Sequence, residues 1–467
     1  MFWDRELTFP ARQISIVSRS TSLDIDDFIE GIIANPHDDS ARMVFADFLE
    51  ENGDPRAEMI RLQYELAEMS QFDKRRDKLR KRELKLLNEH GCFGKIPPEA
   101  DLLKTDGYVG GFVDGIQITV TRFLRKQEEI FTQAPVRRVE MRGKSKKFHK
   151  LNESPYLGNI AHLTLRGHDA SDENLIKLFT NPNLCNLSTL ELYDRSTSYD
   201  EDYQPIDGGF GAGVVEAIAN AENLAGLKHL RLYAWNAGDD AAQALIDSKV
   251  LSNLESLCIT FADDSFLREL ADSTTFQNLK ALEVRGQLTG HGIRALQSGT
   301  ILQKLESLEI YCDGHQTGNE AFKSAQPLPN LKHITVGRGF PGEILTDIIR
   351  RYRKLETLDL SGNRILNDQV ITLSEDPILG QLDKLRLTAN RIGYEGAKAL
   401  AESPHRKKST KLYLVSNPVG AKDIERLKEA YGKTFGNFGK SHLWHLPRGS
   451  DETLNSLTSI LQRFDEG

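Results

Sequence analysis

Residues 355–363 read Leu-Glu-Thr-Leu-Asp-Leu-Ser-Gly-Asn, and residues 382–390 read Leu-Asp-Lys-Leu-Arg-Leu-Thr-Ala-Asn. Each stretch sets apolar residues at its first, fourth and sixth positions and Asn at its ninth. Alternation at the fourth to sixth places is that of a short strand with one buried face. The same frame runs outward in both directions. Toward the N-terminus it reads Leu331-Ile334-Val336, Leu305-Leu308-Ile310, Leu279-Leu282-Val284, Leu254-Leu257-Ile259, Leu227-Leu230-Leu232, Leu187-Leu190-Leu192 and Ile160-Leu163-Leu165, with Val136-Val139-Met141 fitting before them. Toward the C-terminus it closes in a degenerate Ser409-Leu412-Leu414 with Asn417 at the ninth place. Successive starts lie 24 to 27 residues apart, save one interval of 40.

Many copies near one period specify a solenoid in which each unit buries its neighbour's apolar face. The frame is the LxxLxLxxN signature of leucine-rich repeats. Asn363, Asn390 and Asn417 are then expected to bond backbone groups where the chain leaves each strand. Between strands, residues 264–270, 342–349 and 396–400 carry apolar residues at i, i+3 and i+4, which predicts helices. A strand and a full helix in so short a unit resembles the ribonuclease-inhibitor subclass. That resemblance implies an α/β fold, a right-handed horseshoe of about 10–11 repeats with a parallel sheet on its concave side and helices outside. The excess in the long interval, residues 194–213, is rich in Asp, Tyr, Ser and Gly and reads as a loop. It is no EF-hand, because Pro205 and Gly211 stand where a loop starting at Asp200 needs Gly and Glu. No other metal or cofactor motif is present, so none is expected.

Residues 24 to 90 lack the frame and read as short helices. Phe28, Ile29, Ile32 and Ile33 share one face of the first. Asp39 or Ser40 is expected to cap the second, with Val44, Phe45, Phe48 and Leu49 inward. Asp54-Pro55 opens a third that buries Met59, Ile60 and Leu66, and a charged fourth runs to His90. The segments Asn35-Pro-His-Asp-Asp39, Arg42-Met-Val-Phe-Ala-Asp-Phe-Leu49 and Gly53-Asp-Pro-Arg-Ala-Glu-Met-Ile-Arg-Leu-Gln63 resemble a bacterial, planctomycete-type repeat-companion domain. Members of that family precede repeat arrays, and the resemblance implies no catalytic activity. The expected organisation is an extension (1–22), a helical repeat-companion module (23–92), a linker with an N-terminal capping unit (93–135), the solenoid (136–435) and a C-terminal cap helix (436–467).

The 467 residues hold 60 basic and 68 acidic side chains, a net charge of -8, so the chain as a whole is no general binder of polyanions. No apolar run reaches the roughly 18 residues of a membrane span, and the start Met-Phe-Trp-Asp-Arg-Glu has no apolar secretion core. Cys92, Cys185, Cys258 and Cys312 show no CxxC spacing, which argues for a reducing, cytoplasmic setting without structural zinc.

Strand alternation places the residues between the inward leucines on the concave face, where they are expected to be exposed. A protein-binding surface is expected there from Glu191, Tyr193, Arg231, Tyr233, Trp235, Phe261, Glu283, Arg285, Glu309, Tyr311, Asp359 and Arg386, because aromatic and Arg side chains dominate interface energetics. Residues 74–85 hold eight basic and two acidic residues and residues 136–150 seven and one. Arg75, Arg76, Arg138, Arg142, Lys144, Lys146 and Lys147 are the candidates for an anion site there. No GxSxG, HExxH or GxxxxGK[ST] is present, and Cys258 reads as a surface thiol. The leading function is a non-catalytic scaffold, monomeric alone, with a protein partner and no membrane. The alternatives are a GTPase regulator, by resemblance of this repeat class to the Ran GTPase-activating proteins, and nucleic-acid binding at the basic end.

Overall fold

A computed structural model describes residues 24–69, 75–103, 107–193, 209–234, 237–299, 301–312, 328–337 and 340–431. The expected 1–22 extension, the 436–467 cap helix and Trp235 lie outside them, as does most of the 194–213 loop. Four helices come first: α1 (Ile25–Ala34), α2 (Asp39–Glu51), α3 (Arg56–Glu68) and α4 (Arg76–His90). The strands follow: β1 (Asp101–Leu102), β2 (Tyr108–Val109), β3 (Phe112–Val113), β4 (Gly115–Ile118), β5 (Arg138–Arg142), β6 (His162–Arg166), β7 (Thr189–Tyr193), β8 (His229–Tyr233), β9 (Ser256–Asp263), β10 (Ala281–Gln287), β11 (Ser307–Cys312), β12 (His333–Gly337), β13 (Thr357–Asp359), β14 (Lys384–Arg386) and β15 (Lys411–Tyr413).

One 13-stranded sheet runs β1-β4-β5 and then in chain order to β15. All its pairs from β4 onward are parallel, and β1 lies antiparallel on β4 at the edge. The parallel ladder thus starts one unit before Val136, at the segment expected to cap the array, with helix Val120–Gln133 behind it. The intervening helices form where expected, among them Asp264–Asp272, Ile344–Arg351 and Tyr394–Glu402. Each apolar frame residue points between sheet and helices: Leu163, Leu190, Leu230, Leu257, Leu308, Leu358 and Leu385 are all buried. Burying one such side chain contributes roughly 1.5–3 kcal/mol, and repetition makes this the main stabilising term.

The asparagines do what their position requires. Asn390 Oδ1 accepts from Ile365 N at 3.1 Å, while Nδ2 donates to Leu360 O at 2.9 Å and Thr388 O at 3.3 Å. Asn363 and Asn417 make the equivalent bonds, to Phe340 N and Val336 O and to Ile392 N and Leu387 O. The residue before each is left-handed (Gly362, φ 76°; Ala389, φ 52°; Ser416, φ 57°), which turns the asparagine under the sheet. A second set was not foreseen. Asn186, Asn253, Asn278 and Asn330 stand just before the leading leucine of their repeats. They donate to Gly158 O, Ala225 O, Ser252 O and Gln303 O of the preceding one, at 2.7 to 3.0 Å.

The helical module is joined to the ladder by a shared core. Phe93 and Phe112, from beside and within the β2–β3 hairpin, pack with Phe45, Leu49, Ala57 and Ile60. Two expectations on α2 are corrected. Asp38, not Asp39 or Ser40, caps it, accepting from Ser40 N at 2.9 Å. Val44 faces solvent, and Arg42, Phe45, Ala46 and Leu49 form the buried stripe. Freed from capping, the Asp39 carboxylate takes Arg42 at 3.3 Å, Arg137 at 3.2 Å and the Tyr64 hydroxyl at 3.0 Å. Arg137 also pairs with the fully buried Asp114 at 2.6 Å, and Arg138 reaches the same carboxylate at 3.1 Å. The motif over residues 53–63 is a docking surface. Pro55 stands at the N-cap of α3, while Asp54 just before it accepts from Arg56 N at 2.9 Å and pairs with the Arg56 guanidinium, which lies 3.9 Å over Phe93. Gln63 Oε1 accepts from Gly111 N at 2.7 Å, and its Nε2 donates to Glu83 at 3.1 Å.

Two substitutions measure these joints. Asn390→Ala leaves buried backbone groups unpaired and is expected to cost about 2–3 kcal/mol in denaturant unfolding. Asp114→Ala strands Arg137 and Arg138 and is expected to cost about 3–5 kcal/mol. A loss below about 0.5 kcal/mol in either would refute the corresponding role.

Candidate protein-binding face

In-register pairing lines up one column down the middle of the concave sheet: Glu140, Thr164, Glu191, Arg231, Cys258, Glu283, Glu309, Thr335, Asp359, Arg386 and Tyr413. Beside it run Arg142 and Arg166, then Tyr193 and Tyr233, then Arg285, Tyr311 and Gly337. Parallel strands about 4.8 Å apart force like positions into stacks. The Tyr193 and Tyr233 rings accordingly lie 4.7 Å apart and 11° from parallel. Arg166 covers Tyr193 at 3.7 Å, and Arg285 sits 5.7 Å from the Tyr233 ring and 4.0 Å from the Tyr311 ring. Tyr311 in turn lies over Gly337, where a Cβ would meet its ring at 2.5 Å.

Each phenol folds back to the middle column. The Tyr193, Tyr233 and Tyr311 hydroxyls donate to Glu191 (3.2 Å), Glu283 (3.3 Å) and Glu309 (3.1 Å). Ion pairs tie the columns together. Arg142 holds Glu140, Arg166 reaches Glu140 (3.3 Å) and Glu191 (3.5 Å), and Arg285 reaches Glu283 (2.8 Å). Arg231 bridges Glu191 and Glu283 at 3.7 and 3.8 Å, and Arg386 pairs with Asp359 at 3.7 Å.

This mutual packing overturns the expectation of exposure for half the expected set. Glu191, Arg231, Tyr233, Phe261, Glu283 and Glu309 are buried. Tyr193, Arg285, Tyr311, Asp359 and Arg386 keep partial access. Cys258 is also buried rather than a surface thiol. Phe261 lies within β9, at a register shift against β10 that sets Thr260 and Phe261 opposite Arg285. There Thr260 turns inward to bond Ala234 N and O. Arg166 and Tyr413, not among the expected binding residues, join the face, Tyr413 by a 5.0 Å cation–π contact with Arg386.

Burial and neighbours divide the acids. Burial pushes the Glu309 carboxyl up to about 8, Glu283 alongside adds to the shift, and Arg285 only partly opposes it. Burial also raises Glu283, but Arg231 and Arg285 outweigh it and hold that carboxyl below its ordinary value. The Cys258 thiol is driven well above its ordinary value, first by burial and then by Glu283. Burial thus favours the protonated forms of both Glu309 and Cys258, and a thiol so held is a weak nucleophile.

The anion candidates do not form one site. Arg138 is buried against Asp114, which corrects its assignment. Arg76 is committed to the carbonyls of Leu66 and Met69, at the end of α3. Arg75 is exposed at the start of α4, a helix whose Arg82 and Arg80 pair with Glu58 and Glu83. Lys144, Lys146 and Lys147 are exposed, and Arg142 is exposed but paired with Glu140. Among the described residues no cluster of His, Cys, Asp and Glu could hold a metal ion, and no helix is long and apolar enough to cross a membrane.

A family model for leucine-rich repeats matches residues 353–369 and 382–401. The ladder and its asparagines carry the same leucine-rich-repeat pattern beyond the matched residues. No curated protein matches it. Similar solved structures include an internalin of Listeria monocytogenes (18% identity, 59% of this chain and 80% of that one, TM-score 0.31). A Bacteroides fragilis protein shares 15% identity over 65% and 81% of the two chains (TM-score 0.34). Rad7, from its yeast complex with Elc1, shares 16% over 62% and 78% (TM-score 0.37).

The acid assignment has a pH signature. The unfolded chain releases the Glu309 proton near the ordinary 4.5, whereas the folded chain keeps it to about 8. The native state binds the extra proton between those values, so stability falls as pH rises through that window. Glu309→Gln removes this slope. Thermal unfolding from pH 5 to 8 should show a flatter decline for the variant and a higher Tm than wild type at the alkaline end. An unchanged slope would refute the assignment.

Proposed function

We propose that this protein is a non-catalytic interaction scaffold that holds a protein partner on its concave face. Arg166, Tyr193, Arg285, Tyr311, Asp359 and Arg386 make the contacts. Glu191, Arg231, Tyr233, Glu283 and Glu309 position them from beneath. The observation that carries this reading is the stack of Arg and Tyr side chains, locked by hydroxyl–carboxylate bonds. Tyr and Arg are the residue types that dominate interface energetics, and side chains already held in place lose little entropy on binding. A protonated, buried Cys258 suits a face that recognises rather than reacts. The unpaired state of all four cysteines suits a reducing, cytoplasmic compartment. The helical module, which resembles the repeat-companion family, serves on this reading to close the first edge of the array.

Affinity capture from source-cell lysate at moderate and high salt, with wild type, a Tyr193→Ala/Tyr311→Ala variant and a Lys144→Ala/Lys146→Ala/Lys147→Ala variant, tests the site. A partner retained at high salt and lost only with the tyrosine variant is the expected result. A partner that ignores the tyrosines and is lost with the lysines would overturn the concave-face reading in favour of the basic end.

A further inference from the structure

In four ion pairs of the concave face the two signs of charge sit at different depths, whereas Arg231 lies as deep as the Glu191 and Glu283 it bridges. Arg142 is 52% exposed over Glu140 at 13%, and Arg285 is 24% exposed over Glu283 at 3%. Arg166 is 24% exposed over Glu191 at 8%, and Arg386 is 25% exposed over Asp359 at 14%. In each of these pairs the guanidinium faces outward and the carboxylate lies beneath it. Burial and the neighbouring Glu283 shift Glu309 toward its neutral form. At the β12–β15 end burial is the main influence on two further groups. Burial lowers Lys384 to about 8, with Arg386 and Lys411 adding to the shift and Asp359 and Glu309 opposing it. Burial lowers His333 to about 4, with Lys332 and Lys384 adding to it.

We propose that the concave face recognises an acidic polypeptide segment, its carboxylates meeting the outward guanidiniums of Arg142, Arg166, Arg285 and Arg386 and its apolar or aromatic side chains resting on Tyr193 and Tyr311. This rests on the concave-face reading and names the chemistry of the partner. An outward layer of guanidiniums gives a chain of net charge -8 a surface that can attract an acid. The spacing favours peptide over nucleic acid. Tyr193 and Tyr233 lie between the cations on β6 and β10, Tyr311 lies between those on β10 and β14, and each cation is undercut by a carboxylate, whereas a phosphate backbone carries charge at every residue. Guanidinium forks bind carboxylates bidentately, and the intervening rings take the side chains between them.

Fluorescence anisotropy on the full chain tests it with three labelled probes: a short peptide of repeating Glu-Tyr-Glu-Gly, its counterpart with Lys for every Glu, and a single-stranded oligothymidylate of equal charge. The acidic peptide is expected to bind with an affinity that falls as salt rises, and the Lys peptide is expected not to bind. Arg142→Glu/Arg386→Glu should weaken acidic-peptide binding at least tenfold, and the milder Arg386→Gln should weaken it less. Lys177→Glu, on the outer helix Asp172–Phe179, reverses a single charge away from the concave face and should leave it unaltered, with circular dichroism confirming that each variant is folded. Binding of the Lys peptide as tight as that of the acidic one, or acidic-peptide binding indifferent to the Arg variants, overturns the proposal. Tighter binding of the oligothymidylate, lost with the same variants, overturns it in favour of nucleic acid. If the acidic peptide fails to bind while the tyrosine variant still loses its captured protein, the charge inference falls and the concave-face reading stands.

Discussion

In-register pairing of parallel strands is the constraint on which everything else depends. It fixes the separation of equivalent residues at about 4.8 Å in every repeat. Apolar frame residues on one face then close into a continuous core. On the other face, whatever occupies a column must stack on its neighbours. Leu190 over Leu230 and Tyr193 over Tyr233 are two results of one register, differing only in which face of the strand carries them.

Stacking polar residues so closely has an electrostatic consequence. Side chains that would be exposed on an isolated strand shield one another from water, and an unpaired charge there is costly. The column answers with alternation: Glu191, Arg231 and Glu283 neutralise each other across β7 to β10. Where two acids do fall side by side, at Glu283 and Glu309, they share the strain unequally. The one with two arginines stays ionised and the other keeps its proton. The phenols complete the set, since each hydroxyl satisfies a carboxylate oxygen that water no longer reaches.

The N-terminal helices obey the same logic at the end of the ladder. An open sheet edge invites further pairing, and β1 with the β2–β3 hairpin and the helical module closes it. The closure is ionic as well as apolar: Asp114 and Asp39 gather Arg137, Arg138 and Arg42 at the junction. Charges that look in the sequence like a basic patch are, at Arg138 and Arg76, internal ties.

The repeat frame, the strand and helix positions and the asparagine ladder were legible in the sequence, because each depends on periodicity and on residues within one unit. So was the membership of the concave columns, which alternation alone assigns. The asparagines before four of the leading leucines, Asn186, Asn253, Asn278 and Asn330, were equally present in the sequence, but their carbonyl partners lie one repeat away and have no local signature. Burial of the columns, the shift at Phe261 and the role of Asp114 were not legible. They depend on how near one strand's side chains come to the next and on which carboxylate reaches which guanidinium. The sequence by itself determined the order of the units and the faces of the strands, since backbone geometry converts spacing into direction. Only the tertiary structure decided which concave side chains face solvent, because depth is set by the packing of neighbouring repeats rather than by position within one.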